Sequence, residues 1–179
     1  MIIVNGFPAT GKTTLARYLA GQLNLVSIHK DDIKETLFDT VGWSDRAWSR
    51  KLSSATYALI YYFAESQLKA RNSFILEANF RPETASPRFQ ELLSRYPCTC
   101  IQLLCTAEPK IVLERYRQRW ESGARHPGHV EIEAIKDLEL EIQRGEVKPL
   151  DIGGTLIEVD TTDFSRVDYR AILKKITLK

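Results

Sequence analysis

Residues 6–13 read GFPATGKT, and no other stretch of the chain limits the possible folds so strongly. The two glycines, Lys12 and Thr13 satisfy G-x-x-x-x-G-K-[ST] at every fixed position. The apolar run MIIV leads into the motif, and Leu15, Leu19 and Leu23 leave it at helical spacing. A strand, a tight loop and a helix in that order form a cradle for phosphate.

The residue types follow from what a phosphate chain demands. Backbone N–H groups must close around the anion, and the close approach and unusual dihedrals this needs are open to Gly6 and Gly11. Pro8, Ala9 and Thr10 carry the main chain around the phosphates between them. Lys12 reaches the β- and γ-phosphates, the Thr13 hydroxyl is placed to ligate Mg²⁺, and Thr14 is set for an inner phosphate. The helix that follows directs the positive end of its dipole at the same anion. No N-K-x-D segment, the guanine-reading signature, occurs in the chain, so the expected nucleotide is ATP.

The rest of the chain alternates strand-like and helix-like stretches. Short apolar runs at residues 1–5, 25–29, 73–78, 99–105 and 155–159 have the length and Val/Ile/Leu content of strands buried on both faces. Between them lie the helical patterns Ala47, Leu52, Ala55, Leu59, Phe63, then Phe89, Leu92, Leu93, then Ile111, Leu113, Tyr116. Helices over 130–144 and 165–176 follow, the second opened by a capping box of Ser165 with Asp168. The fold class expected is α/β, a three-layer sandwich around a parallel sheet of about five strands.

A length of 179 residues suits one domain, read as residues 1–179. No run approaches the ~20 apolar residues of a membrane span, so no membrane partner is expected and the cytoplasm is the expected location. Cys98, Cys100 and Cys105 lie together on or beside one apolar segment and are read as reduced, mostly buried thiols. A net charge of +2 excludes nothing by itself, but Arg115, Arg117, Arg119 and Arg125 concentrate positive charge locally.

With GFPATGKT come HKDDIK at residues 29–34, ILEANF at residues 75–80 and that arginine-rich stretch. In this order and spacing the chain resembles the small P-loop kinases, the group of chloramphenicol phosphotransferase, zeta toxin, gluconate kinase and the kinase half of bacteriophage polynucleotide kinase. The resemblance implies transfer of the ATP γ-phosphate to a hydroxyl of a small-molecule acceptor. It implies that Asp31, just after the second strand, takes the acceptor's proton, which agrees with the rule that ligands gather at the carboxyl ends of parallel strands. The competing reading is that Asp31 and Asp32 cap a helix starting near Ile33, and that reading is preferred for Asp32.

Lys34 stands where polynucleotide kinases of the group carry an arginine on the acceptor's phosphate; contact with the acceptor and a solvated helix position are both open for it. The resemblance also makes residues 115–129 a lid. Arg115 and Arg119 share a helix face, Arg125 lies past the break at Gly123, and Arg119 and Arg125 are the favoured clamps on the transferring phosphate. Residues 126–129, HPGH, read as a hinge rather than a metal site, because further ligands are missing locally.

Glu77 and Asn79 end the third strand. Glu77 is a candidate for Mg²⁺ in place of a Walker B aspartate, and Asn79 for orienting the acceptor. Asp160 and Thr161 match the loop bordering adenine, so Thr161 joins the nucleotide site. Residues 33–70 build the acceptor side in the family, and Trp43, ahead of an expected cap at Ser44, is the aromatic assigned to the acceptor. The helical stripe through Trp48, Leu52, Ala55 and Leu59 is read as core. Three alternatives stay open: a polynucleotide 5′-kinase, which needs a basic approach to Asp31; a triphosphatase coupled to a partner; and a nucleotide-binding module without turnover. Nucleic acid is not favoured as the acceptor.

Overall fold

The computed structural model describes residues 1–145 and 147–177. Five strands form one all-parallel sheet: β1 (Ile2–Gly6), β2 (Val26–His29), β3 (Phe74–Glu77), β4 (Ile101–Thr106) and β5 (Thr155–Asp160), in the order β2-β3-β1-β4-β5. All five residues of β1 are buried because it is the central strand, paired on both edges and covered on both faces. The expected count and direction of strands hold.

Period-two alternation divides the core. Ile2 and Val4 point to the face covered by α1 (Lys12–Leu23) and α7 (Tyr169–Thr177), where they meet Leu15, Leu19, Ile172 and Ile176. Ile3 points to the other face, against Ile60, Ala64 and Leu68 of α3 (Arg46–Lys69) and Phe89 of α4 (Pro82–Arg95). Helices α5 (Pro109–Glu121) and α6 (Glu131–Gln143) form a hairpin with its own small core of Val112, Tyr116, Ala134 and Leu138. That core packs on Phe7 and Ala9 of the phosphate loop, so the hairpin sits over the loop.

Several local expectations are corrected. The buried stripe of α3 is Ser49, Leu52, Thr56, Ile60, Ala64 and Leu68, while Ala47 and Ala55 are exposed. Small hydroxyl residues occupy core positions there, so counting only apolar residues rotates the helix onto the wrong face. Thr56 satisfies its hydroxyl internally by donating to the Leu52 carbonyl at 2.8 Å. The cap of α3 is Asp45, not Ser44: its carboxylate accepts from Trp48 N at 2.8 Å. At α7 the cap is Asp168, which accepts from Ala171 N at 2.9 Å, and Ser165 lies in a separate 3-10 turn, so the Ser165–Asp168 capping box is not formed. Helix α2 (Lys30–Val41) begins three residues before Ile33, directly from the end of β2, which places Asp31 and Asp32 inside its first turn rather than at its cap. There they complement the helix dipole.

Candidate active site

The carboxyl ends of β1, β2 and β3 open into one cleft of about 1550 Å³, with α3, α4 and the α5–α6 hairpin around it. Single small-molecule pockets run to roughly 1,000 Å³. This one has room for two ligands side by side.

The phosphate loop forms one wall. Gly6 has φ 147° and a Cβ there would lie 2.2 Å from the Cys105 carbonyl oxygen; Gly11 has φ 74° and a Cβ would meet the Phe164 ring at 2.5 Å. Both positions therefore require glycine. Pro8, Ala9, Gly11, Lys12, Thr13 and Thr14 line the cleft. Gly6, Thr10 and Thr161 lie behind that wall: the Thr10 hydroxyl donates to Phe7 O at 2.8 Å, and the Thr161 hydroxyl donates to Thr10 O at 3.0 Å and Thr106 O at 2.8 Å. They are buried and brace the loop from behind.

Lys12 is buried, and its ammonium donates to the Phe7 carbonyl at 2.6 Å. Burial lowers its pKa, opposed by Glu77, Cys105 and Asp31. A phosphate arriving beside it would restore the charge balance.

The Thr13 hydroxyl donates to Glu77 at 3.0 Å, so the two groups assigned to Mg²⁺ meet although β3 and the loop are far apart in sequence. Both are oxygen donors facing the cleft, the donor type Mg²⁺ takes. The Glu77 carboxylate also accepts from His29 Nδ1 at 3.2 Å, and the Ser27 hydroxyl lies 3.0 Å from His29 Nε2. His29 is a positioning residue that sequence reading had left as a strand end. Its signal was its parity with Glu77 across β2 and β3, and only the register His29↔Glu77 discloses it.

Asp31 lies across the cleft from the loop. Its carboxylate accepts from Arg125 Nη2 at 2.6 Å and from Lys30 Nζ at 3.3 Å. Burial alone would raise its pKa, but Lys30 and Arg125 outweigh that and hold it well below the ordinary value of 3.8. The carboxylate is ionised at neutral pH. Asp32 instead faces outward and pairs with exposed Arg17 at 3.1 Å.

Residues 115–129, expected to form a lid, lie beside the cleft. Arg125 contacts Asp31, and the turn behind it is seated on α2: His129 Nε2 lies 2.9 Å from Glu35, His126 Nε2 lies 3.2 Å from Asp39, and Gly128 fits so closely on Phe38 that a Cβ would lie 2.7 Å from its ring. The two imidazoles of HPGH thus bind separate carboxylates. His129 is 5% exposed, and burial with Arg125 beside it lowers its pKa to about 2. It is neutral: Nδ1 accepts from Arg125 Nη2 at 3.1 Å, and Nε2–H donates to Glu35.

A pH dependence of stability follows. In the unfolded chain His129 gains a proton near its ordinary 6.5, whereas in the folded chain it does not until about 2. Unfolding therefore takes up a proton, and stability falls as pH drops below 6.5, at up to about 1.4 kcal/mol per pH unit for one such group. Urea melts of the wild type and of His129→Gln between pH 7 and pH 4 should show a shallower loss in the variant. Equal slopes would mean that His129 does not titrate as its surroundings dictate.

Arg115 is a brace: it donates to Thr161 O and Thr162 O, each at 2.8 Å, with its guanidinium 3.8 Å above the Phe164 ring. Phe164 is a site residue that sequence reading missed; its distance from the loop in the chain hides its contact with Gly11. Arg119 lines the cleft with its guanidinium 5.0 Å from the Tyr116 ring, and Arg117 faces outward to Glu139. Asn79 lines the cleft and is held by the Tyr57 hydroxyl, which lies 2.9 Å from its carbonyl oxygen and 3.1 Å from its Oδ1. Lys34 is 3% exposed and donates to Ser49 Oγ at 2.9 Å, so it is not a solvated position. Trp43 does not line the cleft. It is 49% exposed and meets His126 edge-on at 6.0 Å, where α2 ends at Gly42 and the chain turns away. Cys98 is exposed, and Cys100 and Cys105 are buried free thiols with pKa values pushed up to about 12 by burial.

A parallel five-stranded sheet, a phosphate loop at its carboxyl edge, a carboxylate facing that loop and an arginine-bearing helical hairpin above it make up the fold of the small P-loop kinases. Residues 1–144 match the family described as AAA domain, and the chain belongs to that family. Among solved structures it is similar to a protein of Chloroflexus aurantiacus J-10-fl, described provisionally as a kinase, at 43% identity and TM-score 0.93 over 99% of this chain and 96% of that one. A sugar kinase from Janibacter sp. HTCC2649 matches at 16% identity and TM-score 0.58 over 98% of this chain and 90% of that one. Shikimate kinase from Bacteroides thetaiotaomicron matches at 18% identity and TM-score 0.52 over 98% of this chain and 94% of that one. These last two show the fold. No match emerged among curated proteins.

Proposed function

We propose that the protein is an ATP- and Mg²⁺-dependent phosphotransferase that moves the γ-phosphate to a hydroxyl of a small-molecule acceptor. The observation that carries this reading is the meeting of three groups in one cleft: the Lys12 ammonium, the Thr13–Glu77 oxygen pair and the ionised Asp31. The kinase names of the relatives support it. Residues 1–179 act as one catalytic unit, with the acceptor side in residues 33–70 and the lid in residues 115–129.

Each group has a separate task. Lys12 and the loop amides bind and orient the triphosphate. Thr13 and Glu77 would hold Mg²⁺, which neutralises phosphate oxygens when bound. Asp31 orients the acceptor hydroxyl and receives its proton, Asn79 borders the acceptor, and Arg119 and Arg125 face the charge that spreads over the phosphoryl oxygens. The α5–α6 hairpin shields the transfer from water.

The test is transfer of label from γ-labelled ATP across nucleosides, sugars, sugar acids, antibiotics and RNA ends. Hydrolysis by water without transfer to any acceptor would replace the reading with a triphosphatase. The metal assignment is tested separately. Glu77→Gln keeps the shape and a hydrogen-bonding oxygen but loses the charge, so half-maximal turnover should need roughly 10–100-fold more Mg²⁺. An unchanged Mg²⁺ dependence would remove Glu77 from the metal site.

A further inference from the structure

Cys98, Cys100 and Cys105 all lie outside the lining of the cleft, and the first two stand together. Cys98 and Cys100 place their sulfur atoms 3.9 Å apart across Thr99, and the Cys100 thiol points at the Cys98 carbonyl at 3.8 Å. Cys98 is exposed and Cys100 is buried. The pair lies just ahead of β4, at the amino end of the sheet, whereas the cleft opens at the carboxyl ends of the strands. Its chemistry is therefore separate from phosphate transfer and stands or falls without it.

The two thiols are held differently. Cys100 is fixed: its carbonyl accepts from Thr155 N at 2.9 Å, the next residue, Ile101, donates to Met1 O at 3.0 Å, and Gly154 packs so closely that a Cβ there would lie 2.2 Å from the Cys100 oxygen. Its side chain sits in the core with Met1, Leu92 and Leu150. Cys98 stands in an irregular stretch between exposed Pro97 and Thr99, outside both α4 and β4. A disulfide needs its sulfur atoms at about 2.05 Å. Turning Cys98 alone can close the gap of 3.9 Å, since a change of χ1 rotamer carries a sulfur by about 3 Å.

Exposure makes Cys98 the thiol that a small disulfide in solution reaches first, and proximity makes Cys100 the thiol that completes the exchange. We propose that Cys98 and Cys100 form a redox-active dithiol that reacts with a low-molecular-weight disulfide of the glutathione type and closes to an intramolecular bond. The Cys98 thiolate attacks one sulfur of the small disulfide, forming a mixed disulfide and expelling the first thiolate, which takes up a proton. The Cys100 sulfur, having given its proton to solvent, then attacks Cys98 and expels the second. The protein loses two protons and two electrons, and the small disulfide gains both and leaves as two thiols. Burial first, and then Cys98, push the Cys100 thiol up to about 12. The second cause disappears once Cys98 is held in the mixed disulfide, which eases the closing step. A ring with one residue between its cysteines removes little freedom from the unfolded chain, so the bond adds little stability and excess thiol reverses it.

The probe is oxidised glutathione, incubated with the native protein at pH 8, quenched by alkylation and followed by intact-mass and peptide mass spectrometry. The product should be two hydrogens lighter, with Cys98 linked to Cys100 and Cys105 still a thiol, and excess reduced glutathione should restore the starting mass. Cys105 is the internal control. It is buried in the core on the other face of the sheet, so it should be alkylated only after denaturation. Cys100→Ser should stop at the mixed disulfide on Cys98, and Cys98→Ser should react with oxidised glutathione at least about tenfold more slowly than the wild type. A wild-type product that remains a mixed disulfide, a dimer linked through Cys98, a link to Cys105, or no modification of Cys98 overturns the proposal.

Should Cys100→Ser not fold, the time course of the wild type decides instead. Glutathione should appear on Cys98 first and leave as the bond to Cys100 forms. Glutathione arriving first on Cys100, or equal alkylation rates for Cys98 and Cys105 in the reduced native protein, overturns the assignment of Cys98 as the attacking thiol and the proposal with it.

Discussion

Asp31→Asn should bind ATP as the wild type does and transfer phosphate roughly 10²-fold more slowly or worse. A hydroxyl is a poor nucleophile at neutral pH, and an amide of the same size accepts a hydrogen bond from it without being able to take its proton. The wild-type carboxylate is available for that task because Lys30 and Arg125 keep it ionised against the effect of burial. The same partners limit its strength as a base, and bringing a triphosphate into reach of Arg125 would draw that guanidinium away and strengthen it. Asp32→Asn is the internal control. Its exposed pair with Arg17 is of a kind worth little, so transfer should change by about twofold at most. Single-turnover transfer with labelled ATP, alongside equilibrium binding of an ATP analogue, measures both. The assignment falls if Asp32→Asn is the damaging variant, or if Asp31→Asn transfers at the wild-type rate.

Lys12→Ala should lose most ATP affinity or turnover, by about 10²-fold or more, with the fold intact. The buried ammonium lines the cleft and, among the described residues, donates to the Phe7 carbonyl, and burial already disfavours its charge. Truncation therefore removes a desolvated charge from the empty protein, and the melting temperature should stay level or rise. Undiminished transfer by Lys12→Ala would exclude the loop from the reaction. The same binding assay run with guanine nucleotides should show no advantage over ATP.

Much of the fold was legible because its signals are local. Buried parallel strands read as short apolar runs, and all five occur within a residue or two of where the runs lie. The phosphate loop was legible for the same reason: Gly6, Gly11, Lys12 and Thr13 act within one turn of chain, so their spacing is their geometry. Reading failed where a side chain's role depends on what packs against it. In α3 the core accepts Ser49 and Thr56 because their hydroxyls find partners, which no count of apolar residues can anticipate. Trp43 lies in an aromatic-rich segment, and where it points is set by the end of α2 at Gly42.

Residue types at short spacing are enough to read the sheet class, the phosphate cradle and the candidates for base, metal and lid. How those groups meet depends on the folded chain. Thr13 reaches Glu77 across 64 residues and Arg125 reaches Asp31 across 94, contacts set by the strand order β2-β3-β1-β4-β5 and by the hairpin folding over the loop. The charge state of the base, the neutrality of His129 and the burial of Lys34 follow from those meetings. Burial and neighbouring charge exist only once the chain has closed on itself.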